Sequence, residues 1–222
     1  MRKMEILYGL RELNSLSKSK TAVVYGGSFN PPHFGHIAIL SYAFDFFDAD
    51  FYIVPTRMPP HKKVHVSFEE RFRWASKVFS SFEKDNLFVT DMENHIEGMN
   101  YAIKNVDYFI QYYEEVILLV GEDALGNIES WYEYEKLLSL AKLAVYPRTR
   151  DGSLYKRGKS VLGQLYSRVV ELNFPLFEVS SSDIRERIRE GKSVVGLLPE
   201  CIRKDVEMVY SVTRFFEGGK EH

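Results

Sequence analysis

Short β-branched runs alternate along this chain with longer stretches whose apolar residues recur at helical spacing, and that alternation limits the fold more than any single residue does. Strands are expected at 21–25, 51–55, 87–91, 116–120, 142–146, 168–172 and 176–180. Helices are expected at 35–48, 67–82, 101–114, 129–140, 182–190 and 199–216. A strand that returns through a helix pairs parallel to its predecessor, and a parallel sheet needs both faces covered. The expected fold is therefore α/β, Rossmann-like and doubly wound, a mostly parallel sheet with helices on both faces. At 222 residues the chain is long enough for one such domain with a substantial core.

Several boundaries carry their own signatures. Ser67 with Glu70 reads as a capping box ahead of Phe68, Phe72, Ala75 and Phe79 on one face. Gly191 suits a helix stop, and Pro199 suits the first turn of the last helix. Met4, Ile6, Leu7, Leu10 and Leu13 show helix-like spacing, followed by polar Ser15, Ser17, Lys18, Ser19 and Lys20. Residues 1–20 are thus expected to form a short helix plus a polar link outside a catalytic unit at 21–222. The stretch 148–160, with Arg148, Arg150, Lys156, Arg157 and Lys159 beside Gly152 and Gly158, reads as a mobile basic loop.

Composition narrows the function classes. A net charge of −2 argues against a protein that grips long nucleic acid, a task that selects a basic surface. Small anions need only a local cluster of cations. The one cysteine, Cys201, excludes an internal disulfide and a cysteine-based metal cluster, and its helical setting suggests a buried small residue. No stretch approaches the roughly 20 apolar residues that span a bilayer, and the N-terminus lacks a secretory pattern, so no membrane association and a cytoplasmic location are expected.

The chemistry concentrates where strands feed helices. Gly26-Gly27-Ser28-Phe29-Asn30-Pro31-Pro32-His33-Phe34-Gly35-His36 follows the apolar run 21–25. Glycines let backbone N–H groups approach an anion closely, and the following helix aims its positive end at it. His33 and His36 would face the same ligand. Val179-Ser180-Ser181-Ser182-Asp183-Ile184-Arg185 repeats the arrangement near the other end of the chain. Its serine hydroxyls either cap a helix or surround a phosphate, and Arg185 offers a planar fork of donors. Arg57, His61, Lys62 and Lys63 follow the strand at 51–55, near the first phosphate loop if the sheet is parallel. Gly121 with Asp123 at a strand end suits ribose hydroxyls, and Trp131 offers a flat face for a ring.

His33-Phe34-Gly35-His36 resembles the H-x-G-H signature of the nucleotidyltransferase superfamily, and 179–185 resembles its I-S-S-[ST]-x-[IV]-R signature. The Pro59-Pro60-His61-Lys62 string, the Gly121-x-Asp123 pair with Trp131 ten residues past the glycine, and Arg148 resemble the bacterial nicotinate (nicotinamide) mononucleotide adenylyltransferases. The resemblance spans about residues 21–215. One motif departs: the family's common Tyr-Thr-x-Asp-Thr is here Tyr101-Ala102-Ile103-Lys104-Asn105, which lacks the threonine hydroxyl and reverses a charge.

The resemblance implies transfer of AMP from ATP to a pyridine mononucleotide, giving a dinucleotide and pyrophosphate. It implies His33, His36, Lys62 and Arg185 as the catalytic groups. Gly26, Gly27, Ser28, Phe29, Asn30, Gly121, Asp123, Trp131, Arg148, Ser181, Ser182 and Ile184 are the implied nucleotide-binding residues. Mg²⁺ would accompany ATP, bridging phosphate oxygens and keeping mostly water ligands, with no dedicated protein cage. The choice between the nicotinate and nicotinamide acceptors stays open at this point. So do a different phosphate acceptor such as phosphopantetheine, a non-catalytic nucleotide-binding role, and the oligomeric state.

Overall fold

The computed structural model describes residues 3–59, 64 and 66–217. Its strands are β1 (Glu5–Leu7), β2 (Thr21–Gly27), β3 (Asp50–Pro55), β4 (Leu87–Thr90), β5 (Glu115–Gly121), β6 (Lys142–Tyr146) and β7 (Val169–Glu171). They form one sheet in the order β1-β4-β3-β2-β5-β6-β7, and every neighbouring pair is parallel. The chain winds outward from β2 through β3 and β4, then crosses back to lay down β5, β6 and β7 on the other side. Such a reversal opens a crevice at the carboxyl ends of β2 and β5.

The helices are α1 (Phe34–Phe46), α2 (Phe68–Phe79), α3 (Ala102–Phe109), α4 (Glu122–Gly126), α5 (Tyr134–Leu140), α6 (Ser153–Leu162), α7 (Ser181–Arg189) and α8 (Glu200–Glu217). Along β2, Val23 and Tyr25 enter one core while Ala22 and Val24 enter the other. Phe51 and Ile53 against Tyr52 and Val54 repeat the pattern on β3. The first core is closed by α1, α2, α7 and α8, the second by α3 to α6. Burial on both sides is why the middles of these strands, Ala22–Tyr25 and Phe51–Val54, are apolar at consecutive positions. Among the described residues no helix is long and apolar enough to cross a membrane.

Several expectations need correction. The N-terminal segment contains β1, not a helix: Glu5–Leu7 pairs with Phe88–Thr90 of β4. A free sheet edge offers hydrogen-bond partners that an isolated turn of helix lacks, and Leu7 and Leu13 bury into the second core while Leu10 stays exposed. The polar link is fixed as well, because Asp50 Oδ2 accepts the backbone N–H groups of Lys18 (2.8 Å) and Ser19 (3.2 Å). The basic stretch expected as a loop contains α6. Its glycine allows close packing, since a Cβ on Gly158 would lie 2.5 Å from Leu125 of α4. No strand forms at 176–180, and the helix expected from 129 starts at Tyr134, after a 3₁₀ turn at Ile128–Ser130. Ser67 caps α2 by accepting from the Glu70 N–H, but the Glu70 carboxylate pairs with Arg73 instead of closing the box. Cys201 is exposed near the start of α8, where its thiol donates to the Lys77 carbonyl of α2 (3.8 Å), instead of being the buried residue expected.

Candidate active site

The two histidines form one unit at the start of α1. The backbone N–H of His33 donates to Nδ1 of His36 at 3.1 Å, and the ring centroids lie 3.7 Å apart. Gly35 makes this stack possible, since a Cβ there would sit 3.0 Å from two atoms of the His33 ring. Burial first, then the Arg148 charge, lower the His33 pKa to about 3, against a smaller opposing effect of Asp183. Burial, the neighbouring His33 and Arg148 hold His36 well below the usual imidazole value. Both rings are therefore neutral near pH 7. With Nδ1 of His36 accepting, its proton sits on Nε2. Among the described residues Nδ1 of His33 is buried without a partner, which a lone pair tolerates better than an N–H does, so its proton also belongs on Nε2.

The loop ahead of α1 is braced from two sides. On one, Arg185 Nη1 donates to the Asn30 carbonyl (2.7 Å), Ser181 Oγ donates to the Pro31 carbonyl (2.8 Å), and the Tyr210 hydroxyl donates to Asn30 Oδ1. On the other, the buried Arg71 donates to the carbonyls of Ser28 (2.7 Å), Thr56 (2.7 Å) and Arg57 (3.2 Å). Phe29 holds φ +43°, a strained value for a bulky residue, while its ring is buried against Phe79 and His36.

Opposite this loop, Gly121 ends β5 beside Tyr146 of β6. A Cβ on Gly121 would meet Asp123 Oδ1 at 2.4 Å and Arg148 Cγ at 3.1 Å, so the glycine lets both side chains approach the strand end. A third wall carries Glu93, only 3% exposed, whose pKa burial pushes up to about 7 against the Asn105 amide (2.8 Å) and the Arg57 N–H (3.0 Å). Tyr101 stacks on Tyr132 with centroids 4.5 Å apart. Ala102 lines this wall where the resembled family has threonine, whereas Lys104 turns outward to the Glu97 carbonyl, so the reversed charge stays out of the cleft.

One cavity of about 1020 Å³ unites these walls, above the usual range for a single small ligand. His33, His36, Gly26, Gly27, Ser28 and Asn30 line it from the first loop. Ser181, Ser182 and Arg185 line it from α7, and Gly121, Asp123, Trp131 and Arg148 from beyond β5. Two expected binding residues do not face the cleft. The Phe29 ring buttresses His36 from the core, and Ile184 is wholly buried there, because its place on α7 faces the sheet. Lys62, with Pro60, His61 and Lys63, lies outside the described residues, and Arg57 reaches to the Ile96 carbonyl at 3.4 Å. Arg71, Glu93 and Tyr132 escaped the sequence reading, and Asn105 entered it only as the last position of the departing motif. Arg71 alone left a local signal, a charge inside the apolar stripe of α2.

The chain is similar to known proteins over most of its length. The cytidylyltransferase-like family matches residues 24–187. A protein of Fervidobacterium nodosum named probable nicotinate-nucleotide adenylyltransferase is 58% identical over 93% of this chain and 98% of its own length. One of Thermotoga maritima with the same name is 41% identical over 90% and 97%. The structure of Plasmodium falciparum nicotinic acid mononucleotide adenylyltransferase complexed with NaAD superimposes with a TM-score of 0.64 at 18% identity, covering 88% of this chain and 96% of that one, which shows a shared fold.

Proposed function

Because the chain belongs to the cytidylyltransferase-like family and, within it, to the nicotinate-nucleotide adenylyltransferases, we propose that its cleft transfers AMP from ATP to nicotinate mononucleotide in NAD biosynthesis. The observation that carries the reading is the convergence of two neutral imidazoles with Arg185 and Arg148 on one cavity.

A phosphate monoester is already a competent nucleophile near neutral pH, so attack on the α-phosphorus needs no general base. The protein has to align two polyanions and stabilise charge gathering on the α- and β-phosphates. His36 donates from Nε2 to the α-phosphate as the five-coordinate state forms. His33 and Arg185 hold the pyrophosphate side. Arg185 already uses Nη1 on Asn30 and Nη2 on Ser182, which fixes the guanidinium plane and leaves its other N–H groups for phosphate oxygens. Gly26, Gly27 and the start of α1 receive phosphate through backbone donors. Lys62 is assigned among the same phosphates from its motif. Asp123 suits ribose hydroxyls, and the aromatic wall of Trp131, Tyr101 and Tyr132 suits a flat ring. Mg²⁺ enters as part of the ATP substrate. Imidazole, guanidinium and hydroxyl donors around the phosphate side suit an ion that keeps water and phosphate oxygens as its ligands. The unpaired Cys201 fits a reducing, cytoplasmic setting.

The test is pyrophosphate release from Mg²⁺–ATP with nicotinate mononucleotide, nicotinamide mononucleotide or phosphopantetheine as acceptor. The expected order puts nicotinate mononucleotide first. Release with phosphopantetheine alone, or ATP binding with no release from any acceptor, would overturn the reading.

A further inference from the structure

We propose that Glu122 is a positioning residue for Arg148, its carboxylate fixing the turn that aims the Arg148 guanidinium into the cleft. The inference rests on the cleft being the nucleotide-transfer site described above. Glu122 is 0% exposed, and a carboxylate removed from water has to be held by donors. All of those donors come from one turn. The backbone N–H groups of Arg148 (2.9 Å) and Thr149 (3.3 Å) reach Oε2, and the Thr149 hydroxyl donates to Oε1. Among the described residues no cation pairs with the carboxylate. An apolar side chain would fill the same space without a desolvation penalty, so the carboxylate is accounted for by the turn it gathers.

The register explains why this residue can do it. Gly121 pairs with Tyr146, so Glu122 leaves β5 beside the point where Pro147 and Arg148 leave β6. The Arg148 stem rests over Gly121, close to where a Cβ would be. Backbone and stem are thus held separately, at Glu122 and at Gly121. Beyond them the guanidinium makes no hydrogen bond or ion pair among the described residues, so these two contacts set its direction. Arg148 acts on both histidines, as its share in lowering their pKa values indicates. A side chain held in its working direction before substrate binds loses less freedom on binding.

A double-mutant cycle on the full chain tests this, with kcat and KM for ATP and nicotinate mononucleotide read from pyrophosphate release. Arg148→Ala and Glu122→Ala should each lower kcat/KM by at least about tenfold, through the same kinetic constant, the scale of one charge-assisted contact. Glu122→Gln should recover part of the loss, because one oxygen still accepts. In the Arg148→Ala background Glu122→Ala should cost less than about twofold, the margin within which independent sites add. An equal cost with and without Arg148, or unchanged kinetics in either single variant, would overturn the proposal in an enzyme that is otherwise active. If Glu122→Ala does not fold, Glu122→Gln and the exposed Thr149→Val carry the same cycle. A wild-type chain that releases no pyrophosphate with any acceptor would instead defeat the reading beneath it.

Discussion

His33 and His36 are neutral and stacked, His33 buried and His36 half-buried, where ordinary histidines are solvated, and that has a cost that depends on pH. The unfolded chain protonates them near 6.5, while folded His33 resists until about 3 and His36 is also held well below 6.5. Between those values the unfolded state binds more protons, so stability rises with pH there. The contribution is complete above 6.5 and lost as pH falls toward 3. Replacing His33 by asparagine should reduce the slope of unfolding free energy against pH by up to ~1.4 kcal/mol per unit in that window, measured by denaturant titration. An unchanged slope would mean that His33 titrates normally. His36→Ala should lower turnover at least ~100-fold, as expected for one lost transition-state donor, with little change in melting temperature. The spacing of the two histidines was legible in the sequence. Their neutrality and tautomers were not, because burial and the Arg148 charge keep both rings unprotonated and the turn into α1 presents the His33 N–H to Nδ1 of His36.

At the scale of elements, a strand, a tight loop and a helix start together make the proposed phosphate site. Gly35 shows how narrow the tolerance is, since a methyl group there meets the His33 ring at 3.0 Å. Gly35→Ala should lower kcat ~10–100-fold, the cost of a small misplacement of catalytic groups, while a circular-dichroism melt stays within a few degrees. Wild-type kcat would mean that the stacked geometry is dispensable. The bracing of this loop by Arg185, Ser181 and Tyr210 joins segments far apart in sequence. The serines and arginine of 180–185 announced themselves as a motif, but Tyr210 on α8 carried no local sign of its bond to Asn30. Glu93 and Asn105 were equally silent, since a buried polar pair is recognised only once its partner is known.

At the scale of the molecule, residues 3–20 belong to the fold and not to an appendage. Leu13 is 1% exposed and packs into the second core, away from the cleft. Leu13→Ala should destabilise the protein by about 2–5 kcal/mol in urea unfolding, with KM for both substrates unchanged. A loss below ~0.5 kcal/mol would return this segment to the status of an extension. The sequence by itself determined the strand–helix alternation, hence the parallel sheet, and the two motifs that line the cleft, because periodicity and residue type are local properties. Only the tertiary structure decided that 5–7 is a strand, that 153–162 is a helix, and that Arg71, Glu93 and Glu122 hold the cleft in shape. Edge pairing, close helix contact and the satisfaction of buried charge all depend on groups that the chain brings near only when it folds.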